Sequence, residues 1–238
     1  MSTSSLIPSD DKERLLALAP YRVLGTAPDA VFDEVVRLTA KLFNVPIALV
    51  SLVDQGSVWF KANFGMAGAE RVDRDESICS VAILQEATTV YSDLLKEPCK
   101  LTKPGVAEAL QMRFYAGHPL RNADGYNIGS LCIIDRKPRQ LSLAEQERLQ
   151  EMAQVVMKMF ELRLALMQHP EYAGEAWITL YDYLDAFLTR LDTLAELARW
   201  EESPTTPIAL AYQQSRDEEI ALVTRLLDQQ VTQALSAA

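Results

Sequence analysis

Residues 112–135, MRFYAGHPLRNADGYNIGSLCIID, constrain the fold more than any other stretch. They read as two β-strands joined by a short polar turn. Arg121-Asn122-Ala123-Asp124-Gly125 supplies the turn chemistry, with Gly125 free to take positive φ. Alternation puts Met112, Phe114, Ala116, His118 and Leu120 on one face of the first strand, and Arg113, Tyr115, Gly117 and Pro119 on the other. In the second strand Ile128, Ser130, Cys132 and Ile134 point one way, and Leu131 and Ile133 the other. Neither strand has a wet side, so other elements must cover both faces. A ligand is a candidate for part of that cover, and function is to be sought there.

The flanking segments set the class. Asp10 or Asp11 is placed to cap a helix running to Pro20, and Pro28-Asp29 to open a second, on which Val31, Val35, Leu38 and Leu42 recur at helical spacing. Asn44 ends it and Pro46 prevents its return. Ile47–Val53 and 58–64 follow as strands across the turn Asp54-Gln55-Gly56-Ser57. Residues 65–75 read as a polar loop, 76–85 as holding a short helix with Cys79, and 88–91 as a brief strand. The connection 92–105, with two prolines, is the most loop-rich part of the chain, a common carrier of binding groups. Ser142-Leu143-Ala144-Glu145 is a capping box opening a helix to about residue 168. Short two-strand connections mean antiparallel neighbours and exclude a doubly wound parallel sheet. The class is α+β: an antiparallel sheet, helices on one face, loops and a small helix on the other.

Beyond residue 170 the pattern changes. Trp177, Tyr181, Leu184, Leu188, Leu191, Ala195 and Ala198 step by four and three, and Leu180, Phe187 and Leu194 widen the stripe. After a loop at 201–206, Thr206-Pro207 caps a second helix with Ile220, Val223, Leu227, Val231 and Leu235 along one side. The pair reads as a C-terminal αα-hairpin. Two helices cannot bury so broad an apolar face alone, so packing against the first domain or a second subunit is expected.

Composition narrows the partners. In 238 residues, 49% hydrophobic and 24% charged, a net charge of −10 argues against nucleic acid or an anionic membrane surface. The first ten residues lack the basic and apolar regions of a secretory signal, and no apolar run reaches a membrane span. Cys79, Cys99 and Cys132 are odd in number and without framework spacing, which suits a reducing cytoplasm. No metal-ligand spacing, phosphate-cradling glycine run or Gly-x-Ser-x-Gly is present, and the sequence names no cofactor.

Tyr21-Arg22-Val23-Leu24-Gly25-Thr26, the run from Asn44 to Asp54, Trp59-Phe60-Lys61, Ser77-Ile78-Cys79-Ser80, Arg113-Phe114-Tyr115-Ala116-Gly117 and the run from Gly129 to Asp135 fall in one order. In that order the chain resembles a GAF domain of bacterial sensory proteins, over roughly residues 14–167. The expected division is an N-terminal lead at 1–13, a GAF domain at 14–168 and a helical hairpin at 171–238. The hairpin is not accounted for by the family pattern.

The residues expected at a ligand site are Trp59, Cys79, Asp93, Arg113, Tyr115, His118 and Cys132. Each has a plainer reading beside it. His118 serves equally as a core histidine with one hydrogen bond, Cys79 and Cys132 as small buried apolar residues, and Trp59 as sheet packing. Arg113 needs a carboxylate, from the protein or from a ligand. The resemblance implies that haem ligation by His118 is out of place, because haem-binding GAF domains put that histidine before the strand. It implies no bilin at Cys79 either, since Ser80 follows where those domains place histidine. The Asn-Lys-x-Asp pattern of cyclic-nucleotide-binding members is missing.

The function expected from the resemblance is a non-catalytic sensory or regulatory protein. It binds an unidentified small molecule between sheet and loops and signals through the 142–168 helix to the C-terminal helices. Output goes to a partner protein or to self-association as a dimer through 171–238. Two alternatives stay open: an interaction module with a degenerate pocket, and a cysteine-dependent redox enzyme of the GAF-type methionine sulfoxide reductase kind, for which one cysteine must be a low-pKa thiol.

Overall fold

The computed structural model describes residues 6–26, 29–66, 68–199 and 206–237. Pro28, the loop at 201–205 and the side chain of Ala198 lie outside the described residues. Helix α1 (Asp11–Leu18) tightens into a 3-10 turn at Ala19–Tyr21. Asp10 precedes α1 without a side-chain capping bond. The Asp11 carboxylate is instead held by Arg14 and Arg74 at 2.8 Å each, tying α1 to the segment that leads into the site. Helix α2 (Ala30–Phe43) is capped by Asp29, whose carboxylate accepts from the Val31 amide, and ends at Asn44 with φ 50.

Strands β1 (Ile47–Val53) and β2 (Ser57–Phe64) form the first antiparallel pair. A third strand, β3 (Arg71–Asp73), pairs with the start of β2 inside the stretch read as loop. Its outer residues are exposed, so it carries no hydrophobic signal. Helix α3 (Cys79–Ala82), strand β4 (Thr89–Tyr91) and a one-turn helix α4 (Val106–Ala109) precede the central hairpin. That hairpin is β5 (Phe114–Arg121) and β6 (Asn127–Asp135), with Gly125 at φ 88 in its turn. The six strands run in the order β3-β2-β1-β6-β5-β4, every neighbouring pair antiparallel.

Seven consecutive residues of β5 and seven of β6 are buried, so both faces of the hairpin are covered. Phe114, Ala116, Leu120, Leu131 and Ile133 face the helices, while Tyr115, Cys132 and Ile134 face the loops. Ile128 joins the helix-side core, against simple alternation. The β5–β6 register shifts beside it, from Leu120 opposite Gly129 to Arg121 opposite Asn127, and such a bulge turns the following side chains over. Gly129 permits the close approach of β1: a Cβ there would stand 2.0 Å from the Ser51 carbonyl oxygen.

Helix α5 (Leu143–Leu166) starts in the Ser142/Glu145 capping box and lies with α2 on the helix-side face. Beyond it, α6 (Pro170–Arg199) packs on α2, and α7 (Pro207–Ala237) packs on α5 and α6. Leu180, Leu184, Phe187, Leu188, Leu191, Ile220, Val223, Leu227 and Val231 are buried in one continuous core with Phe32 and Leu162. Tyr181 is partly turned to solvent, because Leu180 and not Tyr181 lies on the contact line. Lys158 bonds Asp228 at 2.5 Å and Thr232 at 2.9 Å, and Lys41 pairs with Asp192. No described helix is long and apolar enough to cross a membrane.

Candidate functional site

The loop-side face of the sheet is incompletely filled. A cavity of about 380 Å³ remains between the strands, α3 and the chain running from Pro98 through α4. Leu49, Phe60, Tyr115 and Ile134, one from each of four strands, make its floor. Ser77, Ile78 and Cys79 form one wall, and Cys99, Val106, Leu110 and Met112 the other. This is the size and lining of an ordinary small-molecule pocket.

Ion pairs made by Arg113 and by Lys103 position the outer wall. Arg113 and Asp93 make a bidentate contact, both N–O distances 2.8 Å, and the Leu94 amide donates to the Arg113 carbonyl at 2.7 Å. They clasp together the two ends of the connection that walls the cavity. The arginine beside it holds the Asp93 carboxyl below the usual range. At the rim, the Lys103 amide donates to the Asp75 carbonyl, and its ammonium reaches Asp75 and Glu76, each at 3.1 Å. Hydrogen bonds to Glu76 and then Asp75 raise the Lys103 pKa.

The floor is apolar apart from one polar pit. Cys79 and Cys132 bring their Sγ atoms to 3.6 Å, both fully buried. Ser51 and Ser130 lie in the same layer with hydroxyls 3.0 Å apart, and the Ser77 hydroxyl accepts from the Cys79 amide. Hydrogen bonding by Cys132, with Ser51 and Ser77, draws the Cys79 thiol down against the cost of burial, and that same bond pushes Cys132 up. The Tyr115 hydroxyl is buried over Gly117, beside Cys79, Cys132 and Ser130. Burial raises its pKa well above that of an ordinary tyrosine, so it stands as a neutral donor.

Of the seven residues read from the sequence, Cys79 and Tyr115 line the cavity, and Cys132 sits directly behind Cys79. Asp93 and Arg113 act on the wall from outside. His118 is bonded to Thr88 at 2.9 Å, away from the cavity, with its pKa lowered by burial. Trp59 alternates with Phe60 on β2 and so faces away; Arg71 stacks on its ring at 5.1 Å. Phe60, Leu49 and Ile134 were open to sequence reading as the loop-side positions of their strands. Val72 on β3 and Val106, Ala107 and Glu108 on α4 were not, because both elements are too short to show a period.

The GAF domain family model matches residues 27–160. A curated relative, the cyclic di-GMP phosphodiesterase PA2567 of Pseudomonas aeruginosa, is 36% identical over 152 residues. The match takes in 63% of this chain and 26% of that protein, so the chain spans about a quarter of its relative's length. Among solved structures, the PixJ GAF domain of Thermosynechococcus elongatus is similar at 17% identity and a TM-score of 0.48, covering 60% of this chain and 90% of that one. Free methionine-R-sulfoxide reductase of Neisseria meningitidis is similar at 20% identity and a TM-score of 0.47, covering 67% and 96%. The expectation of no enzymatic role is overturned by the Pseudomonas relative, which is an enzyme. With a six-stranded antiparallel sheet, a loop-side cavity and a family model spanning more than half of its length, this chain belongs to the GAF domain family.

Proposed function

We propose that this chain is the ligand-sensing part of a cyclic di-GMP phosphodiesterase system. It binds an uncharged, largely apolar small molecule in the cavity above Tyr115, and occupancy sets the phosphodiesterase activity. What carries the ligand reading is the cavity itself, about 380 Å³ over an apolar floor of Leu49, Phe60, Tyr115 and Ile134. Charged side chains lie only at the rim, so a ligand with a charge at its inner end would lose hydration without compensation. The 36% identity to the Pseudomonas enzyme supports the choice of system.

The division of labour follows the chain: a lead at 1–13, a sensory domain at 14–168 and an output hairpin at 171–238, acting in the cytoplasm. Tyr115 and Phe114 are neighbours on β5 but face the cavity and α5 respectively, and α7 lies on α5. A shift of β5 on ligand binding is therefore felt by α5 and passed to α7. Ile208 and Leu210 are exposed at the start of α7, where they offer apolar side chains to a partner or a second copy.

The test is a thermal-shift screen of uncharged aromatic alcohols, ketones and amides against matched carboxylates. Neutral compounds should raise the melting temperature of the wild type and fail on Ala107→Trp, which fills the cavity from α4. A preference for the carboxylates, or shifts that survive Ala107→Trp, would count against the reading.

A further inference from the structure

Beside the cavity stand two thiols, one in its wall and one behind it, that ligand binding does not require. Cys79 is the first residue of α3 and lines the cavity; Cys132 lies mid-strand on β6 and does not. Their sulfurs are 3.6 Å apart, so a molecule that enters the cavity meets one sulfur with the second directly behind it. Buried cysteines are ordinarily small apolar fillers, and filler needs no polar company. Here the hydroxyls of Ser51, Ser77 and Ser130 share the layer, and the Tyr115 hydroxyl lies beside both cysteines.

We propose that Cys79 and Cys132 form a redox centre beside the cavity, closed to a disulfide by a small hydroperoxide that enters through the cavity. The Cys79 sulfur attacks the terminal peroxide oxygen and the O–O bond breaks. The departing alkoxide takes the Cys79 proton and leaves as an alcohol, with Cys79 now a sulfenic acid. The Cys132 sulfur then attacks the Cys79 sulfur, the S–O bond breaks, and hydroxide leaves as water with the Cys132 proton. Two thiols and one hydroperoxide give one disulfide, one alcohol and one water. The peroxide gains two electrons, and each sulfur gives one.

Bond formation brings the sulfurs from 3.6 Å to about 2.05 Å. Helix α3 is four residues long and begins at Cys79, whereas β6 is paired on both sides, so α3 is the element that yields. A disulfide that displaces α3 is strained, and strained disulfides are readily reduced again.

The experiment treats reduced full-length protein with hydrogen peroxide or tert-butyl hydroperoxide, then unfolds it, alkylates the remaining thiols and maps the peptides. The proposal requires loss of two hydrogens, joined Cys79 and Cys132 peptides, alkylation at Cys99 alone, and reversal by dithiothreitol. Cys99→Ser should behave alike, and Cys132→Ser should leave a Cys79 sulfenic acid that dimedone traps. Free Cys79 and Cys132 at a peroxide dose that already oxidises Cys99, or a disulfide to Cys99, would overturn it. The wild-type readout decides even if Cys132→Ser does not fold.

Discussion

Gly117 and Tyr115 lie two residues apart on the loop-side face of β5, and the Tyr115 hydroxyl occupies the place a side chain at 117 would need. A Cβ at 117 would come within 2.3 Å of that oxygen and 2.8 Å of the ring carbon that bears it. The glycine thus sets where the Tyr115 hydroxyl sits.

Gly117→Ala should therefore destabilise the fold by about 1–3 kcal/mol, the usual range for overpacking. It should also displace the Tyr115 ring toward the cavity. Tyr115→Phe removes the nearest of the clashing atoms, so the double variant should lose less than the sum of the two single losses. Urea unfolding of all four proteins measures this; strict additivity would mean that the two residues do not compete for space.

The Asp93–Arg113 clasp makes an acid-sensitive contribution. The folded Asp93 pKa is depressed by Arg113, so its stabilisation is present in full above the ordinary carboxylate value of about 3.9 and is lost as pH falls through the lower folded value. Asp93→Asn should be less stable than the wild type at neutral pH, with the gap closing in acid. Because the clasp holds the cavity wall, limited proteolysis between residues 95 and 105 should speed up in this variant at neutral pH. Equal cleavage rates would show that the wall is held elsewhere.

Much of this fold can be read along the chain because its signals are local. The 112–135 hairpin declares itself by two apolar strands around an Asn-Ala-Asp-Gly turn, and the α5 start by Ser142 and Glu145 side chains that bond each other's backbone. What escapes depends on registration between distant segments. The bulge at Ile128 is a property of the β5–β6 pairing and not of Ile128 itself. The same holds for the site: Cys79 and Cys132 are 53 residues apart, and their contact exists only because α3 lies across β6. Arg113 was legible as needing a carboxylate, but that the protein itself supplies it, through Asp93, was not.

The C-terminal helices share the core of the sheet domain, so their loss should be felt throughout. Leu184 and Val231 are fully buried, and truncating such side chains costs about 2–5 kcal/mol for leucine and less for valine. Leu184→Ala should lower the stability of the whole chain by that amount in a single cooperative transition, with near- and far-UV circular dichroism coinciding. An early separate transition of the helices would show that they fold as an independent unit.

The central claim is that the cavity above Tyr115 holds a small molecule, and native mass spectrometry of the full chain, before and after denaturation, tests it most directly. The account predicts an extra mass on the wild type that denaturation releases, that Tyr115→Phe reduces and that Ala107→Trp abolishes. A bound mass equally present on Ala107→Trp, or a wild type that stays at its bare mass even when incubated with the neutral compounds, would contradict it.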